Sequence, residues 1–204
     1  MSKAVVISAG TITDYEYISS FISKEDFVIC ADGGVNHAKK MGIAPNLTVG
    51  DFDSYKGELK GEVRRFNPEK DYTDTHIAVN AALEKGYNEI LLLGCIGTRM
   101  DHTLANVGIL EYILKKGATG KMVNENNIIT VIDKTTTLKP DGSKYVSLIP
   151  IGKVKGVTLK NLKYTLENYT MTFSESIGIS NEFTHKDAVI EIEEGSLIVI
   201  KSRD

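Results

Sequence analysis

The sequence has no tryptophan, only four prolines and two cysteines in 204 residues, and no run of about 18 apolar residues of the kind that crosses a bilayer. The missing run excludes a membrane-spanning helix. The start passes from Met1-Ser2-Lys3 straight into a strand-like Ala4 to Ser8, so no signal peptide is read there and a cytoplasmic location is expected. Cys30 and Cys95 end separate apolar runs and lack Cys-x-x-Cys or Cys/His ligand spacing, which reads as two buried free thiols rather than zinc or a disulfide. His37, His76, His102 and His185 are scattered, against a histidine-based metal site. A surplus of cations is missing too: the net charge of -3 gives no case for nucleic acid or a membrane surface, so an acidic ligand must be met by a metal or by local cations. Gly117-Ala118-Thr119-Gly120-Lys121-Met122 fails the phosphate-loop pattern and no Gly-x-Gly-x-x-Gly occurs, so a bound nucleotide is held in another way. There is no internal repeat, low-complexity tract or long linker.

What is present is ordinary globular composition, 42% hydrophobic and 25% charged, enough for one large or two small domains. Short, continuously apolar runs at 3–8, 27–31, 47–49 and 90–93 read as strands buried on both faces of a parallel sheet, with a further strand at 63–66. Helical patterns at 15–22, 35–41, from Thr73 or Asp74 to before Gly86, and along Leu104, Val107, Leu110, Ile113 and Leu114 alternate with them. Strands at 121–124 and 128–132 are expected to complete the layer. The alternation predicts a doubly wound α/β domain over 1–133, with ligands at the carboxyl ends of the strands. From 134 to 204 the pattern changes to short glycine-punctuated strands at 145–149, 154–159, 164–166, 171–173, 188–192 and 197–200. This is expected to be a small all-β sandwich, marginal for independent folding and therefore packed on a partner surface.

The chemistry-bearing residues fall in loops that follow strands. In Gly50-Asp51-Phe52-Asp53-Ser54, an extended backbone would project Asp51 and Asp53 together and turn Phe52 inward. Two carboxylates about 4 Å apart at an effective dielectric of about 20 repel by roughly 4 kcal/mol, so they need a shared proton, a cation or a metal. Hard oxygen donors favour magnesium or calcium over zinc. Three more acidic loops repeat the arrangement: Asp32-Gly33-Gly34, Asp71-Tyr72-Thr73-Asp74 and Arg99-Met100-Asp101-His102. Gly33 and Gly34 suit close approach of a ligand to a helix start, or a plain strand-to-helix turn. Asp74 suits a helix cap as well as a site. Arg99 beside Asp101 suits a surface ion pair or a two-pronged phosphate contact. Acids converging with Arg99 point to a metal-bound polyphosphate and phosphoryl-type transfer. A metal-dependent nucleotide-sugar transferase and a non-catalytic nucleotide sensor use similar parts.

In order, Ala31-Asp32-Gly33-Gly34, Gly50-Asp51-Phe52-Asp53-Ser54, Lys70-Asp71-Tyr72-Thr73-Asp74 and Gly97-Thr98-Arg99-Met100-Asp101-His102 resemble the motifs of the thiamine pyrophosphokinase family. Leu162-Lys163-Tyr164-Thr165-Leu166 and Gly178-Ile179-Ser180-Asn181 extend the resemblance over nearly the whole chain. The resemblance implies transfer of the pyrophosphoryl group of ATP to thiamine, giving thiamine diphosphate and AMP. It implies a Mg2+ ion held by Asp51, Asp53 and Asp74, with Arg99 and Asp101 completing the catalytic set and Asp32, Gly33, Gly34 and Asp71 binding nearby. It also implies a homodimer in which Ser180 and Asn181 of the β domain approach thiamine. Tyr164 stands where some members carry tryptophan.

Overall fold

The computed structural model describes residues 2–52, 61–66 and 71–204. Asp53 and Ser54, and Lys70 ahead of Asp71, lie outside the described residues. The chain divides into two compact units between Glu125 and Asn126.

In the first unit, β1 (Ala4–Ile7), β2 (Phe27–Ala31), β3 (Leu47–Gly50), β4 (Glu62–Arg65), β5 (Glu89–Leu93) and β6 (Thr119–Val123) pair in parallel in the order β4-β3-β2-β1-β5-β6. Helices α1 (Tyr15–Ser19), α2 (Gly34–Lys40), α3 (Asp74–Glu84) and α4 (Met100–Lys115) connect them. The apolar runs form strands because both faces are covered: every residue of β1 is fully buried, as are Ile90, Leu92 and Leu93 of β5. The chain leaves β1 to build β2, β3 and β4 on one side, then returns to place β5 and β6 on the other. Connections therefore diverge after β1 and β5, which opens a crevice at their carboxyl ends.

Helix α4 differs from its expected face. Its buried residues are Asn106, Ile109, Leu110 and Ile113, whereas Leu104 is 63% exposed. The 3.6-residue period runs through a polar residue, and an apolar-only reading rotates the face away from it.

The second unit has no helix among its described residues. It contains β7 (Asn127–Ile132), β8 (Thr136–Leu138), β9 (Tyr145–Lys160), β10 (Leu166–Thr172), β11 (Ala188–Glu191) and β12 (Glu194–Ser202). All pairings are antiparallel: β12 lies between β7 and β9, and β9 also pairs β10 and β11, with β8 beyond β11. The segment at 128–132, expected to complete the sheet layer, is β7, and it pairs β12 antiparallel. The expected strands at 145–149 and 154–159 are one continuous strand, because a bulge absorbs the glycines between them. Opposite β10, Tyr169 pairs Val157 and Met171 pairs Val154, which leaves an extra β9 residue near Gly156, where φ is +67°. The inward set shifts accordingly from Val146, Leu148 and Val154 to Val157 and Leu159. These residues, with Met171, Ile190, Leu197 and Val199, form the unit's core.

Candidate functional site

The floor of the crevice is made by chain ends that only glycine lets approach. The Ser8 N–H donates to the Leu93 carbonyl at 2.9 Å, Gly10 N–H to Gly94 O at 2.6 Å and Thr11 N–H to Ile96 O at 2.9 Å. A Cβ on Gly10 would collide with the Gly94 carbonyl, and one on Gly34 with the Ile7 carbonyl. Gly94 combines φ of +61° with equally close packing on the Ser8 carbonyl. Glu125 steadies the β1–α1 loop from the end of β6, its carboxylate accepting from the Thr13 and Asp14 N–H groups at 2.5 and 2.9 Å.

Above this floor lies a cleft of about 450 Å³ whose walls carry Asp32, Thr73, Asp74, Arg99 and His102. Two expected acids and the expected arginine thus share one cavity at the predicted sheet edge. Asp32 occupies the left-handed region at φ +44°, and its N–H donates to the Val49 carbonyl at 2.7 Å. Gly50 packs beneath it, since a Cβ there would lie 3.1 Å from the Asp32 Cα. Gly33 caps α2, and Gly34, its first residue, is buried.

Capping of α3 falls to Thr73, whose Oγ1 accepts from the His76 N–H at 3.3 Å. Asp74 is the first helical residue, on the cleft wall, so the cap explanation does not account for it. Asp71 is exposed and is not among the cleft-lining residues. Asp51 follows β3 at the same edge and is half-buried. The extended geometry expected around Phe52 does not hold at Phe52 itself, which sits at φ +58°, so simple alternation from Asp51 does not apply. That turn buries the Phe52 ring to 5% exposure. The Arg65 guanidinium lies 5.2 Å from its centroid and donates to the Asp51 carbonyl at 3.4 Å. Among the described residues, no three His, Cys, Asp or Glu side chains gather closely enough to hold a metal ion.

Arg99 and Asp101 form a two-pronged pair, Nη2 to Oδ2 at 2.5 Å and Nε to Oδ1 at 3.2 Å, both side chains exposed. The hydrogen bond from Arg99 holds the Asp101 carboxyl below the usual carboxylate range and makes Arg99 correspondingly harder to deprotonate. Such an exposed pair adds little stability. It leaves the guanidinium at the cleft mouth with a partner that an incoming phosphate can replace.

In the second unit, Ser180 has φ of +56° and donates its N–H to Ser147 Oγ at 3.0 Å. Asn181 is 2% exposed. Its Oδ1 accepts from the Tyr164 and Glu182 N–H groups, each at 2.9 Å, and its Nδ2 donates to the Tyr164 carbonyl at 2.6 Å. The amide is spent on backbone and presents the Tyr164 ring outward, 59% exposed.

Among the cleft residues not read from the sequence as site residues are Ser8, Thr75, Cys95 and Asn106. Ser8 and Cys95 merely end apolar runs, and Thr75 and Asn106 sit inside helices. The available signal was polar residues at helix positions that the apolar period should occupy.

The chain is similar to known proteins along its whole length. A family model described as thiamin pyrophosphokinase, catalytic domain, matches residues 18–122. A second, described as thiamin pyrophosphokinase, vitamin B1 binding domain, matches residues 132–199. A curated thiamine pyrophosphokinase of Bacillus subtilis is 29% identical over 100% of both chains. A crystal structure of thiamine pyrophosphokinase from Bacillus subtilis superposes with a TM-score of 0.90 at 26% identity, covering 100% of both chains. That from Geobacillus thermodenitrificans gives 0.87 at 28% identity, covering 100% of this chain and 98% of the other. Matched by both models in the same order as its two units, the chain belongs to the thiamin pyrophosphokinase family.

Proposed function

We propose that this chain transfers the pyrophosphoryl group of ATP to thiamine, releasing thiamine diphosphate and AMP. One observation carries the reading: a chain matched by both family models places Asp32, Asp74 and Arg99 around one cleft at the switch point of a parallel sheet. The first unit is then the ATP-binding catalytic domain. The second is a β-sandwich that binds thiamine and dimerises, with Ser180 and Asn181 on its thiamine side and Asn181 acting through the Tyr164 backbone it clamps. A homodimer in the cytoplasm is the proposed working form.

The donors suit magnesium. Asp51, Asp53 and Asp74 offer hard oxygens, and this ion takes one or two carboxylates with phosphate oxygens and waters rather than a full protein cage. When bound, it would neutralise charge building on the phosphates. Arg99, released from Asp101, contacts phosphate oxygens in the same two-pronged way. Gly33 and Gly34 bring the start of α2 close to the nucleotide, beside Asp32. The thiamine hydroxyl oxygen attacks the β-phosphorus, the bond to the α-phosphate oxygen breaks, and AMP leaves. The hydroxyl proton passes to Asp74, or to Asp71 if Asp74 is committed to the metal.

Incubation with ATP, magnesium and thiamine, followed by separation of products, tests the proposal. AMP with thiamine diphosphate is the expected outcome. ADP with thiamine monophosphate makes the protein a different kinase. Binding without turnover makes it a sensor.

A further inference from the structure

Beneath the cleft runs a buried polar chain that the reaction outlined above does not use. Ser8, at the end of β1, is 5% exposed, and its Oγ lies 2.8 Å from the Oγ1 of Thr75, itself 8% exposed. The Cys95 thiol, 3% exposed, reaches the same Ser8 Oγ at 3.4 Å. The Cys95 carbonyl accepts from Asn106 Nδ2 at 2.7 Å, with Asn106 6% exposed. The four residues come from β1, α3, the loop after β5, and α4. Burying hydroxyls and an amide costs free energy unless each is paired, and apolar residues would fill these positions at no such cost. Pairing across 67 positions of sequence separation also gives a direction that apolar packing does not.

The chain joins the two elements that carry the reacting groups. Thr75 directly follows Asp74 in the first turn of α3, so the Ser8–Thr75 bond pins that turn to the end of β1. Asn106 pins α4 to the start of the loop bearing Arg99. We propose that Ser8, Thr75 and Asn106 are positioning residues that fix the spacing of Asp74 and Arg99 across the cleft. Transition-state stabilisation is sensitive to such spacing, because displacements of about 1 Å reduce rates roughly 10²-fold. This inference rests on the functional reading above and concerns residues that act through Asp74 and Arg99.

Thr75→Val keeps the shape of the side chain and removes its hydroxyl. It is expected to lower kcat about 30-fold, with the KM for thiamine within about twofold. Affinity for a non-hydrolysable magnesium–ATP analogue, measured by calorimetry, is expected to fall at least about fivefold. Thr75→Ser restores the hydroxyl and is expected to recover most of both losses. Asn106→Leu, breaking the other end, is expected to lower kcat with Arg99→Lys no longer additive. All variants are compared well below their unfolding midpoints. A purely structural role lowers the midpoint of Thr75→Val and leaves kcat and analogue affinity unchanged, and that result overturns the proposal. So does a Thr75→Ser variant as impaired as Thr75→Val. The parent chain is assayed first: if it forms no thiamine diphosphate, the functional reading fails. If it turns over and Thr75→Val matches it, only the positioning role fails.

Discussion

The two units use strands in opposite ways. In the α/β unit, β1 and β3 are buried from end to end and stability lies in mid-strand, while the chemistry collects just past the carboxyl ends. In the β unit the apolar positions alternate along β9 and β12, so the core is distributed along whole strands and exposed groups such as Tyr164 sit in the connections. A parallel sheet therefore separates what holds it together from what it does, by position along a strand. An antiparallel one separates them by face.

Substitutions sharpen this contrast. The largest effect is expected from Asp74→Asn, with a loss of about 10³-fold in kcat and an unfolding midpoint close to the parent's. Near-parental turnover in this variant would place the proton acceptor elsewhere. Gly34→Ala, where the first helical residue meets the Ile7 carbonyl, is expected to destabilise by about 4 kcal/mol in denaturant titration. In the β unit, Leu148→Ala empties a fully buried position and is expected to lose about 3 kcal/mol.

A smaller effect comes from Asp26, 7% exposed, which accepts from the Lys3 Nζ at 2.7 Å and the Ser23 N–H at 2.8 Å. Burial alone would raise its pKa, but the hydrogen bonds from Lys3 and Ser23 together hold it below the usual value. The carboxylate is thus more easily ionised in the folded chain. Its contribution is complete above the unfolded value, about 3.9, and disappears as pH falls through the lower folded value. Asp26→Asn is expected to cost about 2 kcal/mol at neutral pH and to flatten the acid limb of the stability curve. Smallest is Thr48→Val: the Thr48 hydroxyl is fully buried and has no hydrogen-bond partner among the described residues, so its removal is expected to stabilise by up to about 1 kcal/mol.

The α/β unit was legible because continuous apolar runs admit few alternatives, and β2 matches its expected limits at 27–31. Asp32, Asp74 and Arg99 were legible because each follows a strand and opens a helix. Thr75 and Asn106 were not, because the partner of Thr75 is Ser8, 67 positions away, and that of Asn106 is a backbone carbonyl in the loop after β5. Local periodicity carries no trace of such a bond. Phe52 was expected to point inward and does, but through a left-handed turn that an extended reading omits. Gly152 and Gly156 resemble strand breakers, yet β9 runs through both, since its pairing with β12 shifts register across Gly152 and its pairing with β10 shifts across Gly156.

The position of β12 carries a consequence for how the β unit is assembled. It is the last of the six strands in sequence, yet it lies between β7 and β9 and pairs with both. Until it is inserted, those two strands present naked edges towards each other, a template for pairing with a neighbouring polypeptide. A shortened chain lacking only residues 194–202 would therefore be prone to clump, although most of its hydrophobic residues would still be in place.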